Sequence, residues 1–237
     1  MSNQTPSSRN RFFQLPFTFD PLRLATDLAT CRTITWPKHF NQADYSGHWS
    51  SIALRSVSGS ETDIRSQPDV SYQNTPLLEN CPYFQSIMDQ FQCQQESVRL
   101  LALSPGSIIN EHRDPQAGYE YGFFRVHIPI ETGEKVAFRV DGQVLPMAVG
   151  ECWYANFDLP HSVRNEGLIE RVHLVLDCRR NAWSDDLFRQ AGYDFNEERQ
   201  KREPSQQLKQ QIMAELARHN SETARQLIDQ LATKQDA

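Results

Sequence analysis

The sequence predicts a mainly β domain of the barrel or jelly-roll type, preceded by short helices and followed by a helical extension. Three observations carry that reading. Between residues 98 and 179, short runs of Val, Ile, Leu and Phe alternate with turn residues at Ser104-Pro105-Gly106-Ser107, Asp141-Gly142, Val149-Gly150 and Asn165-Glu166-Gly167, the punctuation that a closed or two-layer β architecture needs. Before that stretch the apolar period is helical, at Leu22, Leu24, Ala25 and Leu28 and again at Phe84, Ile87, Met88 and Phe91. After Trp183 the composition turns polar, and two amphipathic patterns follow Pro204.

A chain of 237 residues with 38% hydrophobic and 10% aromatic content can bury one large β core. The expected division is a disordered polar N-terminus over residues 1–11, a β domain over residues 12–183 and a helical extension over residues 184–237. The net charge of -6, from 24 basic and 30 acidic residues, argues against nucleic acid or an anionic membrane as partner, since either would need clustered Lys and Arg. No apolar run approaches the roughly 18 residues of a membrane span, and the polar start has no signal-peptide core, so a cytoplasmic protein is expected. Cys31, Cys81, Cys93, Cys152 and Cys178 are odd in number and scattered, which reads as free thiols.

In chain order, residues 12–19 read as an extended aromatic piece. Asp20-Pro21 caps a helix running to about Cys31, with Pro at its first position. Residues 36–49 are loop-like and residues 50–56 a strand carrying Arg55, which reads either as a grip for a substrate carboxylate or as a strand-end Arg reaching solvent. Residues 58–74 form a polar surface loop. Residues 98–103 are strand, and Ile108-Ile109 lead into Glu111-His112-Arg113-Asp114. The segment 115–122 holds Tyr119, Glu120 and Tyr121 between two glycines; it reads equally as a lid over substrate or as a hairpin connection. Strands follow at 123–131, 136–140, 143–148, 152–156 and from Arg171.

The chemistry concentrates in His112-x-Asp114 and, 49 positions after the first of these, His161. Two imidazoles and one carboxylate suit a borderline divalent ion with an open face, as in a two-His, one-carboxylate iron site, whereas structural zinc would want four closed ligands. Alone this spacing is weak. Arg171 strengthens it, because a guanidinium inside an apolar strand needs an anion to face. Arg171, His173 and Asp177 share one strand face, as do Arg125 and His127 on another. Two basic rows beside a metal triad suggest a bound dicarboxylate. Asp177 would serve as a salt-bridge partner for those rows. His39, His48 and His219 read as structural or surface residues.

From His112 to Asp177 the chain resembles the aspartyl/asparaginyl β-hydroxylase family of Fe(II)/2-oxoglutarate dioxygenases, which includes bacterial free-proline hydroxylases. The resemblance implies a double-stranded β-helix (jelly roll, cupin-like) with Fe(II) on His112 and His161, joined by Asp114. It implies 2-oxoglutarate as cosubstrate, one carboxylate on Arg171 and the other near Arg125 and His127, with O2 at the remaining position. Asp114 sets the chain nearer the small bacterial hydroxylases than the peptide-hydroxylating branch, and Leu101 stands where that branch carries a Ser. The expected function is hydroxylation of an unactivated carbon of an amino acid, with Arg55, Tyr119 and Tyr121 as candidate substrate contacts. The alternatives are hydroxylation of Asp or Asn within a peptide or protein, and a non-catalytic cupin-type ligand-binding module. The C-terminal helices suggest a homodimer contact.

Overall fold

The structure is a computed structural model that describes residues 10–67, 70–202, 206–219 and 221–233. The expected disordered N-terminus lies outside the described residues up to residue 9. From there the elements run β1 (Phe12–Thr18), α1 (Pro21–Cys31), β2 (Tyr45–Ser46), β3 (Trp49–Ser56), β4 (Gln73–Asn74), α2 (Pro76–Glu79), α3 (Pro82–Met88), β5 (Gln95–Leu103), β6 (Ile108–His112), a 3-10 turn at Tyr119–Tyr121, β7 (Phe123–Glu131) and β8 (Val136–Val140). They continue with β9 (Gln143–Val144), β10 (Glu151–Ala155), β11 (His161–Asn165), β12 (Arg171–Arg179), α4 (Ala182–Gln190), α5 (Phe195–Arg202), α6 (Gln206–Arg218) and α7 (Glu222–Thr233).

The strands form two antiparallel sheets, one in the order β1-β10-β7-β12-β5-β3-β4 and a smaller one in the order β2-β6-β11-β8-β9. This is the jelly-roll, double-stranded β-helix arrangement that the turn spacing and the resemblance imply. Between the sheets lies an apolar layer of Leu101, Leu103, Ala155 and Val175 from the larger sheet against Ile109, Phe138, Val140 and Val163 from the smaller. The other face of the larger sheet is covered by α1 to α3, and its strands β5 and β12 are consequently buried on both sides. Strands in that position read as near-continuous apolar runs. Among their polar members, Arg99 on β5 and Arg171, His173 and Asp177 on β12 therefore stand out as groups retained at a desolvation cost.

Local signals account for the ends of the elements. Asp20 caps α1 by accepting from the backbone N–H of Leu22 at 2.8 Å and of Arg23 at 3.2 Å, with Pro21 at the first helical position, a cap worth about 1 kcal/mol. Asp141 and Gly142 both have positive φ, 48° and 76°, as a two-residue hairpin turn between β8 and β9 requires. All five cysteines are free, and all but Cys93 are buried.

The chain divides into a unit ending at Asp194 and a second over residues 195–237, not at the expected 183/184 boundary. The reason is α4: Asn181 and Ser184 close a capping box at its start, and Phe188 is fully buried, stacked on Tyr119 at 3.8 Å. The second unit opens with α5, whose sequence is strongly polar. In the second unit α6 and α7 pack on each other. Among the described residues, no helix is long and apolar enough to cross a membrane.

Candidate metal centre and anion pocket

His112 ends β6 and His161 begins β11, and the antiparallel pairing sets the two directly opposite each other. A register shift lies between that pair and the pair Val163–Ile109. Strict alternation from the inward-facing Ile109 would turn Glu111 to the core; the extra residue turns His112 there instead. The imidazoles lie 4.2 Å apart, centre to centre. Each Nδ1 is held by a carbonyl two residues back, that of Asn110 for His112 at 2.8 Å and that of Leu159 for His161 at 3.0 Å. This pattern keeps the proton on Nδ1 and leaves Nε2 as a free lone pair. Asp114 stands beyond the strand end, its N–H donating to the Phe157 carbonyl at 2.9 Å, and its Oδ1 is 3.7 Å from His112 Nε2.

One ligand atom each from His112, Asp114 and His161 fall within 4.8 Å of one another. Their protonation fits a cation. Burial pulls His161 down to about 4, so the imidazole is neutral. Burial pushes the Asp114 carboxyl up, but Arg125, His161 and His112 outweigh it and hold it below the usual range. Two imidazole nitrogens and one carboxylate facing a common point are the donor set of an open divalent site.

Behind Asp114 lies a buried charge network. Arg125 donates to Asp114 Oδ2 at 2.8 Å and to both oxygens of Asp177, at 2.5 and 3.2 Å. Asp177, fully buried and paired with Arg125 across β12 and β7, also meets Arg99 Nη2 at 3.1 Å. Arg125, expected to hold cosubstrate, lines the same pocket as the triad, with each of its three nitrogens donating to a carboxylate, one of them in the triad. Asp177 is the salt-bridge partner anticipated for the basic rows.

On the other side of the pocket Arg171, 1% exposed, donates through Nη2 to His173 Nδ1 at 2.8 Å. His127 Nδ1 lies 3.2 Å from the same nitrogen. Arg171 Nε and His127 Nε2 are buried without a hydrogen-bond partner. Both residues line one pocket with all three triad residues, Leu101 and Trp49. A larger groove of about 490 Å³ runs over the outer face of the smaller sheet, along Asn110, Arg139, Ser162 and Arg164, and includes no triad residue.

Three expected substrate contacts lie elsewhere. A bulge between Ala53 and Arg55 shifts the β3–β5 register, so Arg55 faces away from Ser51, Ala53 and Arg99; its guanidinium donates to Gln95 O, Asn74 Oδ1 and Tyr72 O at 2.7–3.1 Å. Tyr119 is fully buried, its hydroxyl bonded to Ser184 and Asp185 at 2.9 and 2.8 Å. Tyr121 is half exposed in the 3-10 turn. The 115–122 segment is held at three points, Gln116 N donating to Asp158 Oδ1, Tyr119 N to Tyr154 OH and Arg180 N to Gly122 O, as a connection between strands is.

Conversely, the structure adds residues that the sequence reading passed over. Trp49 Nε1, Ser51 Oγ and Arg99 Nε are buried without partners on adjoining strands, on the face that looks toward the pocket. His39 stacks on Trp49 at 3.5 Å, and burial together with Arg99 and Arg125 lowers it to about 3. The signal for Arg99 was present: it is a lone Arg in an apolar strand, like Arg171.

Among curated proteins, an L-proline cis-4-hydroxylase of Rhizobium meliloti is 27% identical over 175 residues, 72% of this chain and 61% of that protein. An L-proline cis-3-hydroxylase of Streptomyces is 27% identical over 166 residues, 67% of this chain and 56% of that protein. The chain thus spans only about three fifths of these relatives. Among solved structures, a 2OG-Fe(II) oxygenase family oxidoreductase of Burkholderia pseudomallei is 18% identical over 69% of this chain and 82% of that one, with a TM-score of 0.47. A prolyl-4-hydroxylase of Pseudomonas putida is 15% identical over 73% and 94%, with a TM-score of 0.46. Residues 25–181, which contain the triad, Arg125, His127 and Arg171, match the family described as aspartyl/asparaginyl beta-hydroxylase, and the chain belongs to that family.

Proposed function

We propose that the protein is an Fe(II)/2-oxoglutarate-dependent dioxygenase that hydroxylates a free amino acid, with L-proline or a close cyclic analogue the first candidate. The observation that carries this reading is the shared pocket, in which a His-Asp-His donor set faces the same space as a buried guanidinium that no carboxylate among the described residues pairs with. Iron with 2-oxoglutarate and O2 supplies the oxidising power to put one oxygen atom into an unactivated C–H bond, the other going into succinate as CO2 is lost.

The protein's share is placement. His112, Asp114 and His161 would hold the metal by one face, and Arg125 keeps Asp114 oriented and ionised. Arg171 would meet the far carboxylate of 2-oxoglutarate, with His127 beside it. The substrate carboxylate would go to Arg99, helped by the unpartnered Trp49 Nε1 and Ser51 Oγ. That choice favours a free amino acid, since an internal peptide residue has no α-carboxylate to offer. Apolar walls from Leu101, Phe138, Phe157 and Val163 exclude water and hold the substrate carbon near the metal. The homodimer suggested by α6 and α7 is a separate part of the proposal, checked by light scattering.

The test is succinate release and a product heavier by one oxygen when the iron-loaded protein, ascorbate and 2-oxoglutarate meet a panel of amino acids. Turnover of L-proline or another free amino acid is expected. Turnover only of capped peptides would replace this substrate class with the peptide one, and succinate release with neither would overturn the dioxygenase reading for these substrates.

A further inference from the structure

His127 has a feature that a carboxylate-binding role alone does not explain. Arg171 can only donate, so His173 Nδ1, 2.8 Å from Arg171 Nη2, is an acceptor. His127 Nδ1 lies 3.2 Å from that same nitrogen. Two lone pairs would repel there, so His127 carries its proton on Nδ1 and donates to His173. Its Nε2 is then a bare lone pair, buried and without a partner. A lone pair repels a carboxylate. Yet the surroundings are set for an anion: Arg171 and His173 of β12, Arg125 on its own strand β7, Arg99 of β5 and His161 of β11 are the charged and titratable groups around it, and its ring neighbours Phe138 and Phe157 are apolar. Burial and the three arginines hold His127 neutral, well below its usual range.

We propose that binding of the dicarboxylate cosubstrate takes up one proton from solvent, and that this proton goes to His127 Nε2, turning the buried lone pair into a donor to the incoming carboxylate. The only bond formed is N–H, and no electrons move. His173 is the positioning residue: by accepting from both Arg171 and His127 Nδ1, it denies neutral His127 the tautomer that would bind the anion without proton uptake. The inference rests on the 2-oxoglutarate reading above and deepens it.

Since the complex holds one more proton than its separate parts, affinity must fall as pH rises. The dissociation constant for 2-oxoglutarate increases about tenfold per pH unit between the free and bound titration points of His127. The experiment titrates the full-length protein, loaded with Mn(II) in place of iron, with 2-oxoglutarate by calorimetry at about pH 7, in phosphate and in Tris, whose ionisation enthalpies differ. Uptake close to one proton is expected. His127→Gln, whose amide donates without titrating, should still bind while its uptake and pH slope vanish, and His173→Phe, which frees the tautomer, should lose the uptake too. Tight binding with a buffer-independent enthalpy in the parent protein, or undiminished uptake in His127→Gln, overturns the proposal and leaves the dioxygenase reading standing. If Mn(II) binds but 2-oxoglutarate does not, both fall.

Discussion

Replacing Arg171 by Met separates a structural arginine from one kept for a ligand. Arg171 is fully buried, and among the described residues no carboxylate lies within ion-pair distance of it; burial alone drags it down to about 9. Its partners are the neutral His173 and the ring of Phe138, 5.2 Å from the guanidinium carbon. Desolvating such a charge costs several kcal/mol. Against this stand about 2 kcal/mol for a desolvated cation–π contact and about 2 kcal/mol for one charge-assisted hydrogen bond. The ligand-free protein therefore loses little and gains on the order of 1 kcal/mol from Arg171→Met, which fills a similar volume; in a domain of this size that raises Tm by roughly 2–4 °C. Binding moves the other way. Losing a buried, charge-assisted contact costs about 2–5 kcal/mol, a roughly 30- to several-thousand-fold weaker Kd for 2-oxoglutarate. Scanning calorimetry with and without 2-oxoglutarate reads both. A variant with lower Tm and a Kd within a few-fold of the parent would make Arg171 a structural residue and remove the cosubstrate anchor.

Three further outcomes follow from the geometry. His161→Ala deletes one of three metal donors, so Mn(II) affinity measured by electron paramagnetic resonance should collapse and succinate release should cease; unchanged metal binding would move the centre elsewhere. Asp177→Asn removes the carboxylate that Arg125 and Arg99 share, leaving Arg125 with Asp114 alone, and should cost about 3–5 kcal/mol, or roughly 6–20 °C in Tm. Burial raises the Asp177 carboxyl but Arg125 and Arg99 outweigh it, so its folded value is depressed; its stabilisation is present above the unfolded value of about 3.9 and lost as pH falls through the folded one. An acid limb as steep in Asp177→Asn as in the parent would contradict this. Arg55→Ala should lose roughly 1–2 kcal/mol of stability with its three donors yet leave the KM for a free amino acid unchanged; a KM rise of tenfold would restore Arg55 to the substrate site.

Local rules made much of this legible. Asp20-Pro21 starts a helix and Asp141-Gly142 turns a hairpin through chemistry within a few residues, and His112, Asp114, His161 and Arg171 are conspicuous because metal donors and a lone strand Arg are costly to place. What local pattern misled about was decided by distant partners. Tyr119 looked like a loop aromatic, but its hydroxyl is satisfied by Ser184 and Asp185, on a helix whose attachment to the sheet unit also moved the domain boundary. Arg125 looked free for cosubstrate because the carboxylates that hold it lie on two other segments. Arg55 was misassigned by a one-residue irregularity that periodicity does not reveal.

That irregularity in β3 has an evolutionary reach. Because Leu54 is the additional residue between the pairs Ala53–Arg99 and Arg55–Val98, a single-codon deletion there would restore regular pairing and keep Arg55 opposite Val98, without altering any side chain upstream. Loss of that codon would therefore leave both guanidiniums, Arg55 and Arg99, on the opposite faces of the sheet that they now occupy.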